Sequence, residues 1–539
     1  MSDEYPWWRH AVVYQIYLRS FADGDGDGTG DISGLISRVP YLASLGIDAI
    51  WVNPWYVSPL IDGGYDVADY RDINPLFGTL DQVKGLIAVA RQAGLRVLVD
   101  LVPNHTSWDH EWFKAALEAS PGSQERRRYH FLPGKGDDGQ LPPNNWKSVF
   151  GGSAWTRVSD GEWYLHMFDE SQPDLNWSNP EVRDEFTNII RFWLDLGAAG
   201  FRVDVAHGLI KADGYPDASG DREADLSSPF VANHPVWDRA QLHDVVREWR
   251  SILDEYEDAM MIAEAWVASR DRLVLYCRPD EYHQTFDFHF LRASWDAQAV
   301  RSTVEMSLKA TATVGSVPSW VLSNHDVVRQ VTRFGLPPEL DPREWLLHGR
   351  DDQIDLELGL RRARAAALLM LALPGSVYLY QGEELGLPEV HDLPEAVLDD
   401  PIWERSSHTD KGRDGCRVPI PWKRDGPSFG FGNDGSWLPQ PENWADLAVE
   451  SQEGVAGSTL ELYRAAIRIR DDRLRGNEDL EWVEHGSRVL AFRRPGGFLC
   501  LVNYGGSPVK LPEGEVLLSS GPLSNGSVAA DSAVWLIEG

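Results

Sequence analysis

Residues 86–105 read LIAVARQAGLRVLVDLVPNH. An amphipathic helix runs up to Gly94, and a short, mainly apolar run follows that closes on polar Asn104 and His105. Glycine just past a helix takes up left-handed backbone at no steric cost. A short apolar run without alternation reads as a strand covered on both faces, as in a parallel sheet. The same order recurs at YLASLGIDAIWVNP (41–54) and FWLDLGAAGFRVDVAH (192–207). Weaker versions stand at AMMIAEAW (259–266), VPSWVLSNHD (317–326) and GSVYLYQGEE (375–384). VVYQIYLRSF (12–21) and QTFDFHF (284–290) bring the strand candidates to eight. Strands alternating with helices predict an α/β protein, and eight such units predict a (β/α)8 barrel with its site at the C-terminal strand ends. A doubly wound sheet is the alternative, but no glycine-rich phosphate loop follows the first strand.

Two segments break the rhythm. Residues 106–173, with LPPNNWKSVFGGSAW at 141–155, read as an irregular insertion after the third strand. Past the helix-like LELYRAAIRIRDDRL (460–474), VLAFRRPGGFLCLVNY (489–504) reads as a hairpin about Pro-Gly-Gly. The expected organisation is therefore a barrel over 1–105 and 174–474, an insertion domain over 106–173, and a small antiparallel β-domain over 475–539.

The chain has 539 residues and a net charge of −33. That field repels nucleic acid and anionic membranes, so a neutral or cationic small molecule is the expected partner, bound by a monomer or homodimer. Three widely spaced cysteines, Cys277, Cys416 and Cys500, argue against a disulfide framework. The longest apolar run, AAALLMLAL (365–373), is too short for a bilayer, and MSDEYPWWRH does not read as a signal peptide, so a cytoplasmic protein is expected. The 23 tryptophans are numerous; exposed aromatic faces suit sugar rings, although most are expected in the core.

Residues 23–31 read DGDGDGTGD. Asp23, Asp25, Asp27, Thr29 and Asp31 stand at positions 1, 3, 5, 7 and 9 of a calcium-loop spacing, with Gly28 at position 6. Position 12 is Gly34 where an EF-hand has Glu, and a strand precedes the loop. Clustered carboxylates repel one another unless a cation holds them, so a structural Ca²⁺ or Mg²⁺ site is expected.

The strand ends carry the chemistry. Breaking an acetal needs one acid for the leaving oxygen and a second carboxylate at the sugar carbon. Asp204 in GFRVDVAH and Glu264 in IAEAW close neighbouring strands and face a common pocket. Arg202, two residues before Asp204, is expected to keep it ionised, as suits a nucleophile. Glu264 sits among Ala, Ile and Trp, and apolar surroundings raise a carboxyl pKa, as suits an acid.

With these residues in view, the sequence resembles glycoside hydrolase family 13, the α-amylase family. DLVPNH (100–105), GFRVDVAH (200–207), AEAW (263–266) and SNHD (323–326) match its four conserved regions in order. QPDLNW (172–177), DGGYD (62–66) and RVPIPW (417–422) resemble its α-glucosidase and oligo-1,6-glucosidase branch, where the acidic loop binds Ca²⁺ or Mg²⁺. The resemblance implies Asp204 as nucleophile, Glu264 as acid and base, and Asp326 as a third acid gripping sugar hydroxyls. It implies that His105 and His325 hydrogen-bond the first glucose and that Arg202 orients Asp204. It further implies that Asp66 and Arg417 clamp the 4-hydroxyl, making the enzyme exo-acting, while Tyr65, Phe150 and Phe168 line the subsite. Val205-Ala206-His207 resembles α-1,4-acting enzymes, so a retaining α-glucosidase of short α-1,4-glucosides is expected. α-1,6-hydrolysis, or transfer and isomerisation on the same scaffold, is the runner-up. A non-enzymatic transporter subunit and a hydrolase centred on the acidic loop are more remote.

Overall fold

The structure, a computed structural model, describes residues 5–220 and 223–539. The first four residues of the N-terminal segment read above lie outside that range. Eight parallel strands form the centre: β1 (Val12–Ile16), β2 (Ala49–Val52), β3 (Arg96–Leu101), β4 (Gly200–Val203), β5 (Met260–Ala263), β6 (Gln284–Thr285), β7 (Ser319–Val321) and β8 (Ser376–Tyr380). Each falls inside one of the eight stretches read from the sequence. β1 pairs with both β2 and β8, and consecutive strands pair around to β6. β7 pairs with β8, and a parallel bridge from Phe286 to Ser319 closes the ring. The sheet is thus a barrel and not an open doubly wound sheet.

Long helices follow seven of the strands: α1 (Ile32–Leu45), α2 (Leu80–Gln92), α3 (Pro180–Asp195), α4 (Leu242–Leu253), α5 (Ala297–Ala312), α6 (Leu356–Ala372) and α7 (Thr459–Leu474). Only the short helix Arg270–Leu273 and a 3-10 turn separate β5 from β6. The starts are written locally. Thr79 and Gln82 exchange hydrogen bonds as a capping box on α2, and Asn179 caps α3 with Pro180 in its first turn. Gly46 closes α1 at φ 83°. Gly200 opens β4 so close to β5 that a Cβ there would lie 1.7 Å from the carbonyl oxygen of Met260.

The apolar stretch 365–372 is buried on every side because α6 lies between the barrel and the C-terminal sheet. Trp535 of that sheet donates its indole N–H to the Leu368 carbonyl at 3.1 Å. The C-terminal sheet has five antiparallel strands, and the predicted hairpin is its centre, with Arg494 opposite Phe498 across the turn. The insertion carries a three-stranded antiparallel sheet, and a bridge between His105 and Asp174 joins its two roots. The sequence reading did not foresee that residues 381–458, between β8 and α7, form a second irregular excursion of short helices and 3-10 turns. Among the described residues, no helix is long and apolar enough to cross a membrane.

Candidate active site

At the C-terminal ends of the strands lies a pocket of about 140 Å³. Tyr65, His105, Phe150, Phe168, Asp204, Glu264, His325 and Asp326 line it, so eight of the expected residues meet in one place. Arg202 lies beneath its floor, 2% exposed.

Arg202 organises the carboxylates. Its Nη1 donates to Asp100 at 2.9 Å and to Asp204 at 2.7 Å, while Nη2 donates to Glu264. The guanidinium lies over the Trp51 ring at 4.9 Å. Burial raises the Asp204 carboxyl well above its ordinary value; Arg202 opposes this, and the neighbouring Glu264 and Asp100 add to it. This differs from the expectation that Arg202 keeps it ionised. Three acids share one guanidinium in a dry place, so burial and like charge outweigh the single cation. The surroundings of Glu264 also differ from the sequence reading. Its neighbours Ala263 and Ala265 turn into the core, whereas its carboxylate meets Arg202 and the indole N–H of Trp266 at 2.8 Å.

The turn leaving β4 is strained. Val205, a β-branched residue, adopts φ 44°, where side chains are crowded by their own backbone. The cost is about 1–3 kcal/mol, borne where neighbouring structure over-determines the conformation. Here Asp204 N–H donates to Leu101 O at 2.8 Å and Ala206 N–H to Glu264 O at 2.9 Å.

Asp326 faces this pair. Arg413 and Arg417 donate to its Oδ1 at 3.2 and 3.1 Å, and His325 Nε2 lies 3.4 Å from its Oδ2. Burial acts to raise its pKa, but His325 when protonated, and Arg413 and Arg417 throughout, outweigh it and hold the group well below the usual carboxylate range. His325 stacks on Tyr65 at 5.4 Å, and its Nδ1 lies 2.7 Å from Gln15 Nε2. Burial lowers the pKa of both His325 and His105, leaving two neutral imidazoles as hydrogen-bond partners. His105 packs against Phe168, which meets Phe150 edge-on.

Two expected residues are displaced. Asp66 is completely buried behind the pocket wall, where it accepts hydrogen bonds from Ser58, the Ile61 N–H and the Asp62 N–H. Arg417 lies behind Asp326, donating to the His325 carbonyl at 3.0 Å over the Tyr17 ring. The residues that reach the pocket are Asp62 and Arg413, each four positions earlier. Arg413 bonds Asp62 at 2.7 Å and Asp400 at 2.5 Å, and Gln172 donates to Asp62 at 3.0 Å. Asp62 stood in the quoted motif DGGYD, but spacing alone did not say which of its two aspartates faces inward. The sequence reading also missed His207, Trp237 and Trp266 as lining residues. For His207 and Trp266 the available signal was their position just beyond Asp204 and Glu264 on the same strand ends, whereas Trp237 comes from the distant loop before α4 and gave none.

The acidic loop lies apart. Asp23, Asp25 and Asp27 bring carboxylate oxygens within 4.8 Å of one another. Asp23 accepts hydrogen bonds from the Gly26 and Gly28 N–H groups at 2.6 and 2.9 Å, which wraps the backbone around the cluster. An all-oxygen set of this kind fits a hard divalent cation. Thr29 is buried, and its N–H donates to Asp27. Asp31 does not join the three: it caps α1 through the Gly34 N–H at 2.7 Å and also accepts from Gly24 and Asp25.

Residues 15–476 match the family model described as alpha amylase, catalytic domain. A protein named probable alpha-glucosidase from Rhizobium meliloti (strain 1021) is 36% identical, over 92% of this chain and 89% of its own length. A protein named oligo-1,6-glucosidase from Parageobacillus thermoglucosidasius is 34% identical, over 86% of this chain and 83% of its own. The crystal structure of an alpha-glucosyl transfer enzyme, XgtA, superposes with a TM-score of 0.86 at 33% identity, covering 99% of this chain and all of that one.

Proposed function

The chain belongs to the α-amylase family, glycoside hydrolase family 13, and from that premise we propose that it is a retaining, exo-acting α-glucosidase that removes terminal α-1,4-linked glucose from short oligosaccharides. One observation carries the reading: Asp204 and Glu264, from adjacent strands, are tethered to one guanidinium, with Asp326 opposite. Asp204 attacks the anomeric carbon while Glu264 gives its proton to the departing oxygen. Glu264 then takes a proton from water, which opens the glucosyl ester. Two inversions return the α-anomer. Arg202 opposes the effect of burial on Asp204 and holds its carboxylate toward the pocket. Asp326, held ionised, accepts hydrogen bonds from sugar hydroxyls. The Asp62–Arg413 pair, braced by Gln172 and Asp400, closes the inner end of the pocket and supports exo action on a chain terminus.

A second reading, glucosyl transfer or isomerisation, shares every step up to the ester, and the likeness to a solved glucosyl-transfer enzyme favours it. Proton NMR of the protein with maltose, read before mutarotation, tests both. A burst of α-glucose is expected, whereas a new disaccharide with little free glucose would favour transfer. Asp204→Ala and Glu264→Gln are expected to fold with turnover reduced by several orders of magnitude; wild-type turnover in either would sink the assignment.

For the acidic loop, we propose a structural Ca²⁺ or Mg²⁺ held by Asp23, Asp25 and Asp27. The cation would supply charge neutralisation to the loop and no chemistry to the pocket. A cytoplasmic location is supported by three buried, unpaired cysteines.

A further inference from the structure

A layer of polar side chains lies beneath the pocket, and its hydrogen bonds run in one direction. At one end is Asp100 of β3. Arg202 Nη1 and the Trp51 indole N–H donate to its carboxylate at 2.9 and 3.0 Å. Neither can accept, so Asp100 is the acceptor that ends the series. The Tyr65 hydroxyl lies 3.0 Å from Asp100 Oδ2, 3.4 Å from Arg202 Nη1 and 2.7 Å from Asn53 Nδ2. Arg202 only donates, so Tyr65 gives its own proton to Asp100 and receives one from Asn53.

This orients Asn53, which stands just beyond β2. Its amide nitrogen faces Tyr65, so its oxygen faces Gln15 of β1, and Gln15 Nε2 donates to it at 3.1 Å. The same nitrogen lies 2.7 Å from His325 Nδ1. An amide nitrogen carries two protons and accepts none. One proton goes to Asn53, and the other meets Nδ1, which can receive it only as a bare nitrogen. The single proton of a neutral ring is then on Nε2, 3.4 Å from Asp326 Oδ2. Gln15, Asn53, Asp100 and His325 are all buried, so water does not compete for these bonds.

We propose that Gln15 is a positioning residue that holds His325 neutral with its one proton on Nε2, so that His325 gives a hydrogen bond to a glucose hydroxyl while Asp326 beside it accepts one. The recipient of that bond rests on the α-glucosidase reading above. Gln15 itself is not among the residues that line the pocket. Its donor is needed because the carboxylate of Asp326 attracts positive charge and favours an imidazolium. An imidazolium carries a proton on each nitrogen and would set Nδ1–H against the N–H of Gln15. It would also pair with Asp326 and draw that carboxylate away from the sugar.

Histidine-selective ¹⁵N labelling of the full chain reads by NMR which ring nitrogens carry a proton, and His325→Asn identifies the signals of His325. At pH 7 the wild type is expected to show a proton on Nε2 and a bare Nδ1. Gln15→Glu puts an acceptor where the N–H stood. It is expected to bring a proton onto Nδ1 and to lower kcat/KM for maltose about tenfold, the scale of one hydrogen bond to the sugar. A proton on Nδ1 in the wild type overturns the inference, whether or not the variant folds. A bare Nδ1 in folded Gln15→Glu, or an unchanged kcat/KM, overturns it as well. No turnover of any α-glucoside by the wild type would instead overturn the reading above, while the ring protons still decide the role of Gln15.

Discussion

At the scale of single residues, the separation of Asp62 from Asp66 has the sharpest consequence. Both belong to one turn, but Asp62 is held by Arg413 and Gln172 at the pocket, whereas Asp66 is buried among its own loop's donors. Asp62→Ala is expected to cut kcat/KM for maltose by about 10²-fold, the cost of losing a charge-assisted hydrogen bond to a sugar hydroxyl, with little change in Tm. Asp66→Ala is expected to do the opposite. It leaves the Ile61 and Asp62 N–H groups unpaired, at about 1–3 kcal/mol each, while kcat/KM per folded molecule stays close to wild type. Kinetics and thermal melts on the two variants decide this, and equal kinetic losses would return Asp66 to the site. The pair also marks how far the sequence could be read. Asp204, Glu264 and Asp326 were legible because strand ends of a barrel converge, so position along a strand fixes direction. Asp62, Asp66, Arg413 and Arg417 lie on irregular loops, where no period relates sequence to direction. Their roles depend on which turn folds inward.

At the scale of elements, seven of the eight strands were legible because each is a short, largely apolar run bounded by a glycine or a polar cluster, and burial on both faces leaves little else such a run can be; β6, Gln284–Thr285, is polar and was found only with Phe286, Phe288 and Phe290 after it. The excursion over 381–458 was not legible, since its residues are ordered by contacts distant in the chain. One such contact covers the acidic loop: Asp23 N–H donates to Phe431 O and Trp437 N–H to Gly28 O. The departure at position 12 also has a physical reason. A Cβ at Gly34 would lie 2.0 Å from the Ala22 carbonyl oxygen, so no glutamate fits there. With Asp31 committed to capping α1, a cation at Asp23, Asp25 and Asp27 would stiffen the loop between β1 and α1, which already bonds Phe431 and Trp437. Chelation is therefore expected to lower Tm by several degrees, reversed by Ca²⁺. Binding at a hundred times Kd contributes about 2.7 kcal/mol, and about 1 kcal/mol shifts a large domain by roughly 2–4 °C. The initial rate at low temperature should be unchanged. An immediate loss of rate without a shift in Tm would instead make the acidic loop a catalytic centre.

At the scale of the whole molecule, buried carboxyls and net charge act on stability in the same direction. Glu383, at the end of β8, accepts hydrogen bonds from the Tyr463 hydroxyl of α7 and the Tyr380 N–H, both at 3.2 Å. Burial pushes it up to about 8, and Glu389 to about 7. A carboxyl raised in the folded state is protonated in both states at low pH, and its contribution is then fully present. As pH rises past its ordinary value of about 4.5, the unfolded chain gives up the proton while the folded one keeps it. Stability falls until the folded group also ionises. Rising pH also increases the self-repulsion of a chain whose net charge is already −33. The acid limit is set by Asp400, which burial would raise but Arg413 holds at about 2, so its contribution is lost as pH falls below about 4. Tm is therefore expected to peak near pH 5 and to fall by pH 8. Glu383→Gln removes one titration and keeps both contacts, because a side-chain amide offers its oxygen to Tyr380 and its N–H to the Tyr463 hydroxyl. The variant is expected to match wild type near pH 4.5 and to gain a few kcal/mol relative to it at pH 8, flattening the slope. Melts of the two proteins across this range test the argument; parallel curves would mean that Glu383 is ionised in the folded protein and that the buried junction of β8 with α7 carries a charge.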